Sequence, residues 1–198
     1  MTAAPVWPEL PDAYGYTAAD LHALPDDGRR YELIDGSIIV SPSATIDHNT
    51  IAMWIATALM DSNPGRDFIV GLDQSATIDS HSEPRPDVIV TLAAHHRLTP
   101  FPIKGSQLVV EVVSPTSVLR DTETKRALYA KAGVPSYWIV VPGEAEPTIK
   151  LAELRLDPGS GEYRHVVHYT TEVFETDAPW PVCIDLPALT AKRARMFD

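Results

Sequence analysis

Three residues of this chain have the types and spacing to do chemistry together: Asp87, Glu111 and Lys125. Glu111 interrupts the apolar run Leu108-Val109-Val110-Glu111-Val112-Val113, which reads as a buried strand. Side chains alternate faces along a strand, so Glu111 shares a face with Val109 and Val113. An unpaired carboxylate taken out of water takes up a proton or finds a cation. Asp87 stands 24 residues earlier, at the mouth of a second apolar segment, Pro86-Asp87-Val88-Ile89-Val90. If the two strands pair, both acids converge on one hard cation. Magnesium takes one or two protein carboxylates and keeps several waters, and the Val112 carbonyl could complete the protein ligands. Taken singly, Asp87 reads equally well as a cap at a turn-to-strand junction, and Glu111 as half of a buried ion pair.

Lys125 is the third member. It follows Asp121 by four residues and falls on one helix face with Leu128, Tyr129 and Ala132. That face packs on the sheet, so the lysine stem is buried and the ammonium points at an acid. It either neutralises Glu111 structurally or, beside a metal, positions a water or stabilises charge developing on phosphorus. Lys131 and Arg126 fall elsewhere on the helix and read as solvated. His48 and Glu32 are weaker candidates for the metal shell or for placing a nucleophile. A histidine near a helix start is more often a core residue than a ligand, and Glu32, between Tyr31 and Leu33, has no assigned face. The other histidines show no ligand spacing. There is no Gly-rich phosphate loop, nucleophile elbow or H-E-x-x-H signature.

The elements that must position these residues follow from local signals. Met1 to Tyr16 is Pro-rich and expected to be an arm, with 17–198 as a single domain. Thr17 caps a short helix over 18–24. Asp35-Gly36 between apolar segments predicts a hairpin. Asp47 is the expected cap of a helix whose buried face carries Ile51, Trp54, Ile55, Ala58 and Leu59, with His48 at its N-terminal end. Strands are expected at 68–78, 87–92 and 108–113. A helix capped by Asp121 and closed by Gly133 and Pro135 comes next, then a strand at 137–141. Residues 148–175 read as two or three antiparallel strands, and a short helix over 187–197 ends the chain. The fold class is α/β, a mixed central sheet flanked by helices with extra antiparallel strands.

Composition narrows the function classes. The chain has 198 residues, 27 acidic against 16 basic, for a formal charge of −11. Such a surface repels phosphate backbones at long range, although bound divalent cations and a local basic patch change the field where chemistry occurs. A single cysteine, Cys183, excludes an internal disulfide and thiolate zinc clusters and fits a reducing cytoplasm. No stretch approaches the roughly 20 apolar residues of a membrane span, and no secretory signal pattern is present.

RRYELIDG at 29–36, the His48 helix, PRPDVIV at 84–90, LVVEVVSPTS at 108–117, DTETKRALYAKAG at 121–133 and VPSYWIVVP at 134–142 together resemble the Uma family of bacterial candidate endonucleases. The resemblance spans roughly residues 17–175, and the segment from Val109 to Pro142 is its most specific part. It implies a restriction-endonuclease-like core, α-β-β-β-α-β, with a PD-(D/E)xK site. Asp87 would then be the acid of PD, and Glu111 that of (D/E)xK. Val113 occupies the position of that motif's lysine, and Lys125 matches a displaced basic residue on the following helix. Glu32 and His48 match further polar positions of the family pattern. Ser136 stands where relatives often carry an acid.

The resemblance implies magnesium- or manganese-dependent hydrolysis of DNA phosphodiester bonds. Asp87 and Glu111 would hold the ion while Lys125 steadies the attacking water or the charge that follows. A homodimer fits cleavage of both strands. The competing reading is a catalytically inactive nuclease-like scaffold acting as a binding or regulatory protein, which the acidic charge and the lack of a basic or aromatic stripe favour. Hydrolysis of another phosphoester, or glycoside chemistry on the carboxylate pair, is a third.

Overall fold

The computed structural model describes residues 14–41, 43–115 and 117–196. Most of the expected arm and the last residue of the expected C-terminal helix lie outside them. A capping box at Thr17 starts α1 (Ala18–His22), with Thr17 accepting from Asp20 N and Asp20 reaching back to the Thr17 backbone. β1 (Arg30–Ile34) and β2 (Ser37–Ser41) form the expected hairpin. Its two-residue turn needs positive φ twice, and Asp35 (45°) and Gly36 (74°) supply it. A Cβ on Gly36 would stand 2.7 Å from the Tyr14 carbonyl oxygen, so no other residue fits there.

α2 (Ile46–Asp61) follows, then β3 (Phe68–Leu72), β4 (Ala76–Thr77), β5 (Val88–Leu92), β6 (Phe101–Pro102) and β7 (Leu108–Val112). A π-helical turn, Arg120–Thr124, runs into α3 (Lys125–Lys131), and Gly133 at φ 76° closes it. The remaining elements are β8 (Ser136–Pro142), β9 (Ile149–Asp157), β10 (Glu162–Thr170), β11 (Val173–Thr176), β12 (Val182–Asp185) and α4 (Leu186–Ala194). The main sheet has the order β10-β9-β8-β7-β5-β3, antiparallel except for the parallel pair β7–β8. α2, β3, β5, β7, α3 and β8 reproduce the α-β-β-β-α-β core.

Alternation along the strands builds two apolar layers. Val88, Val90, Val110, Val112 and Trp138 pack with Ile51, Ile55 and Leu59 of α2 and with Leu186 of α4. On the opposite face Ile89, Val109, Val113 and Ile139 pack with Tyr129 of α3. Glu111, 2% exposed, lies on the α3 face as its register demands.

Several local expectations are corrected. The cap of α2 is Thr45, whose side chain accepts from His48 N. Asp47 instead pairs with the buried Arg193 of α4 at 2.7 Å. Asp121 caps nothing: it is buried within the π-helical turn, and the Tyr137 hydroxyl donates to its carbonyl at 2.6 Å. Arg126 is not free in solvent but donates to the Tyr163 carbonyl at 2.7 Å. The expected strand 68–78 is broken at Asp73, which has φ 52°. β9 and β10 form the antiparallel pair expected within 148–175, and β11 pairs with β12 in a separate two-stranded sheet.

Candidate functional site

The pairing of β5 with β7 sets Val88 opposite Val110 and Ile89 opposite Val109. Extending that register by one residue brings Asp87 across from Glu111, both on the α3 side of the sheet. Asp87 is held there by the Val112 backbone N–H, which donates to its Oδ2 at 2.7 Å. The next amide, Val113 N, turns the other way and donates to Val140 O at 2.8 Å. A strand residue directs its N–H and C=O to the same neighbour, so the Val112 carbonyl faces the Asp87 side.

Lys125 rises from the first turn of α3 and is 3% exposed. Its Nζ lies 2.8 Å from Glu32 Oε1, 3.0 Å from Glu111 Oε1 and 4.0 Å from Asp121 Oδ1. The Tyr129 hydroxyl, one turn further along α3, donates to the same Glu111 Oε1 at 2.8 Å. Glu32, on the hairpin, is fixed by Arg85 N of the β4–β5 connection, which donates to its Oε1 at 2.8 Å. Glu32 and Lys125, 93 residues apart in the chain, thus meet at one ammonium.

Four carboxylates surround this lysine, and their titration shows how unevenly it serves them. Burial pushes Glu32 up, but the Lys125 charge and hydrogen bond together with the Arg85 N–H outweigh it, leaving Glu32 below its ordinary value. Burial dominates at the other three. Asp87 is pushed up to about 7 by burial, against the pull of Lys125 and the Val112 N–H. Glu111 and Asp121 are raised for the same reason, with neighbouring acids adding to the effect. Burial lowers Lys125, yet the four acids together hold it above its usual range, so it stays charged. The cluster holds more negative charge than one ammonium offsets.

His48, in the first turn of α2, brings Nε2 to 3.2 Å from Asp87 Oδ1, but without hydrogen-bond geometry, so this buried nitrogen is unpartnered. Burial, then Arg30, lower its pKa and favour a neutral ring with a free lone pair. These groups line a cavity of about 580 Å³ that also takes in Arg30, Arg85 and Arg120.

Could the residues present hold a divalent ion? The donor chemistry fits: two carboxylates, a carbonyl turned the right way and an orphaned imidazole nitrogen. The arrangement as it stands is drawn elsewhere. Among the described residues no group of three or more His, Cys, Asp or Glu is disposed to hold a metal. Both hydrogen bonds to Glu111 land on Oε1, pulling that carboxylate toward α3.

All six sequence candidates, Glu32, His48, Asp87, Glu111, Val112 and Lys125, therefore line one cavity. Sequence reasoning missed Asp121, Tyr129 and Arg120. Asp121 and Tyr129 lie four residues either side of Lys125 on the stripe already used to turn it inward, so that signal was available. Nothing local marks Arg120.

The fold and this cavity define a restriction-endonuclease-like protein. The chain matches the Uma2 family, described as "Putative restriction endonuclease", over residues 18–190, and it belongs to that family. A crystal structure described as a "putative nuclease belonging to DUF820", from Anabaena variabilis, superposes with a TM-score of 0.68 at 17% identity. The match covers 89% of this chain and 98% of that one, and at such identity it shows the shared fold. No curated protein matches the chain. Among the described residues no helix is long and apolar enough to cross a membrane.

Proposed function

We propose that this protein is a magnesium- or manganese-dependent endonuclease that hydrolyses DNA phosphodiester bonds. The observation that carries the reading is the placement of the Lys125 ammonium, 3.0 Å from Glu111, beside an Asp87 held on the adjoining strand. Asp87, Glu111 and the Val112 carbonyl would hold the ion, with His48 Nε2 as a further donor. A bound divalent cation would supply Lewis-acid chemistry, activating a water and offsetting charge on the phosphate. Lys125 keeps its proton and orients the water or steadies charge on the non-bridging oxygens. Glu32 fixes the lysine, and Tyr129 together with the lysine fixes Glu111 through Oε1. Asp121 adds negative charge that favours cation entry. A cytoplasmic location and a homodimer with two such sites belong to the same proposal.

The second reading is a nuclease-like scaffold that binds or regulates without catalysis. One observation favours it: Glu111 and Glu32 already close an ion-pair network on Lys125 that stands without a metal. Nicking of supercoiled plasmid with magnesium or manganese separates the two. The endonuclease reading expects cutting by wild type and a loss of at least about 100-fold in Asp87→Ala and Lys125→Ala, the scale on which positioned acid–base and electrostatic groups act. Equal residual cutting in all three preparations contradicts it.

A further inference from the structure

The cavity sets acids deep around Lys125 and arginines nearer its mouth. Glu32, Glu111 and Asp121 around Lys125 are almost fully buried, whereas the side chains of Arg120, Arg30 and Arg85 are 25%, 30% and 34% exposed. The floor therefore groups acids around one ammonium, and the rim carries three arginines, two of them on the single carboxylate of Asp73. This order is set locally, in a chain whose net charge is −11.

The rim arginines are not equivalent. Arg30 and Arg85 share one carboxylate: Arg30 reaches Asp73 Oδ2 at 2.6 Å, and Arg85 Nε reaches Asp73 Oδ1 at 2.8 Å. Two guanidinium groups on one acid leave an excess positive charge, and both are held rigidly. Arg120 differs. Among the described residues its side chain makes no hydrogen bond, and its Nε is buried without a partner. Its nearest acid is Asp121, with Oδ1 3.6 Å from Nε, beyond hydrogen-bond reach. A guanidinium carries five N–H donors in a planar fork shaped for carboxylate or phosphate oxygens. Leaving the buried Nε–H unmet is costly, and a fork whose other donors reach the rim calls for an anionic partner.

A phosphodiester strand suits that demand. Its scissile phosphate would sit over the acidic floor with a divalent ion, while an adjacent phosphate meets the rim. Ordinary acidic side chains would be repelled by the same floor without bringing a cation along.

We propose that Arg120 binds a backbone phosphate of the nucleic-acid strand lying across the cavity, with the Asp73-clamped pair Arg30 and Arg85 extending that contact along the rim. This rests on the nucleic-acid reading above, but it concerns binding rather than cleavage. Arg120 is here a substrate-positioning residue, separate from the groups that would hold the ion.

The test is fluorescence anisotropy with a short labelled DNA duplex, and with its single strand, in calcium to allow docking without turnover. Arg120→Ala should weaken binding about tenfold, the loss of one charge-assisted contact. The slope of log affinity against log salt should fall by about one. Arg120→Lys should recover part of the affinity but keep the wild-type slope, because the charge remains. Arg164→Ala, on β10 at the far edge of the sheet, should bind as wild type does. Manganese uptake by Arg120→Ala should equal that of wild type, which sets a binding defect apart from a damaged ion site. If Arg120→Ala is poorly folded by circular dichroism, Arg120→Gln carries the same comparison. Unchanged affinity and slope in a folded Arg120 variant, or no DNA binding by wild type, overturns the proposal. Arg120-dependent binding without any plasmid cutting keeps it and removes the endonuclease reading instead.

Discussion

Val112 donates its backbone N–H to Asp87 Oδ2 at 2.7 Å, so the strand that carries Glu111 also aims the acid opposite it. The two carboxylates are not independent side chains that happen to be close. A register fixes one, and a main-chain hydrogen bond from the residue beside Glu111 fixes the other. That coupling explains how a site can be built at a sheet end with little help from loops.

Removing the lysine charge should be expensive in the absence of a metal. Lys125→Met leaves Glu32 and Glu111 facing each other without their shared cation. Breaking a buried pair costs about 3–5 kcal/mol. Urea denaturation in chelator at neutral pH should show a loss of that size. The loss should shrink at pH 5, where buried carboxylates can take up protons instead. A change below about 1 kcal/mol at neutral pH would mean that the ion pairs contribute no more than exposed ones.

The raised pKa of Asp87 makes a signed prediction. A carboxyl at about 7 when folded, against an ordinary 3.8, binds its proton more tightly in the folded state. Its contribution is fully present below pH 4 and is lost as pH rises through about 7. Asp87→Asn cannot titrate, so in chelator its melting temperature should gain on wild type between pH 5 and pH 8. Each kcal/mol corresponds to about 2–4 °C for a chain of this size. A pH-independent difference between the two proteins would contradict the burial argument.

Tyr129→Phe tests the bond to Glu111 Oε1. That oxygen still accepts from Lys125, so no acceptor is orphaned and the cost should be about 1 kcal/mol in a urea titration. A loss above about 3 kcal/mol would show that the hydroxyl, not the ammonium, holds Glu111.

Arg193 provides a test of the frame around the cavity. Its guanidinium donates to Asp47 and to the carbonyls of Gly143, Glu146 and Thr148, tying α4 to α2 and to the β8–β9 connection. Arg193→Met should destabilise by about 3 kcal/mol, because it strands buried acceptors. A fully stable variant would place the burden on the apolar layer alone.

Much of this arrangement was legible in the sequence because it follows from local periodicity. Alternation put Glu111 on the Val109 face, and the spacing to Leu128 and Tyr129 turned Lys125 inward. What was misread depends on partners far along the chain. Asp47 has the chemistry of a cap, but Arg193, 146 residues away, claims it, and Thr45 takes the cap. Arg126 looks solvated until Tyr163, 37 residues on, offers a carbonyl. Asp121 has the residue type of a helix start, and a π-helical turn leaves no pattern in residue types that would show otherwise. Glu32 lies in a short hairpin strand whose last three residues are all buried, so no alternation exists to assign its face.

Calorimetric titration of the chelator-treated protein with manganese addresses the shared-ion claim most directly. Wild type should take up the ion with micromolar to millimolar affinity, and both Asp87→Ala and Glu111→Gln should abolish uptake while remaining folded. Absence of uptake by wild type at millimolar manganese, or equal uptake by either variant, would show that these two carboxylates do not share a divalent ion.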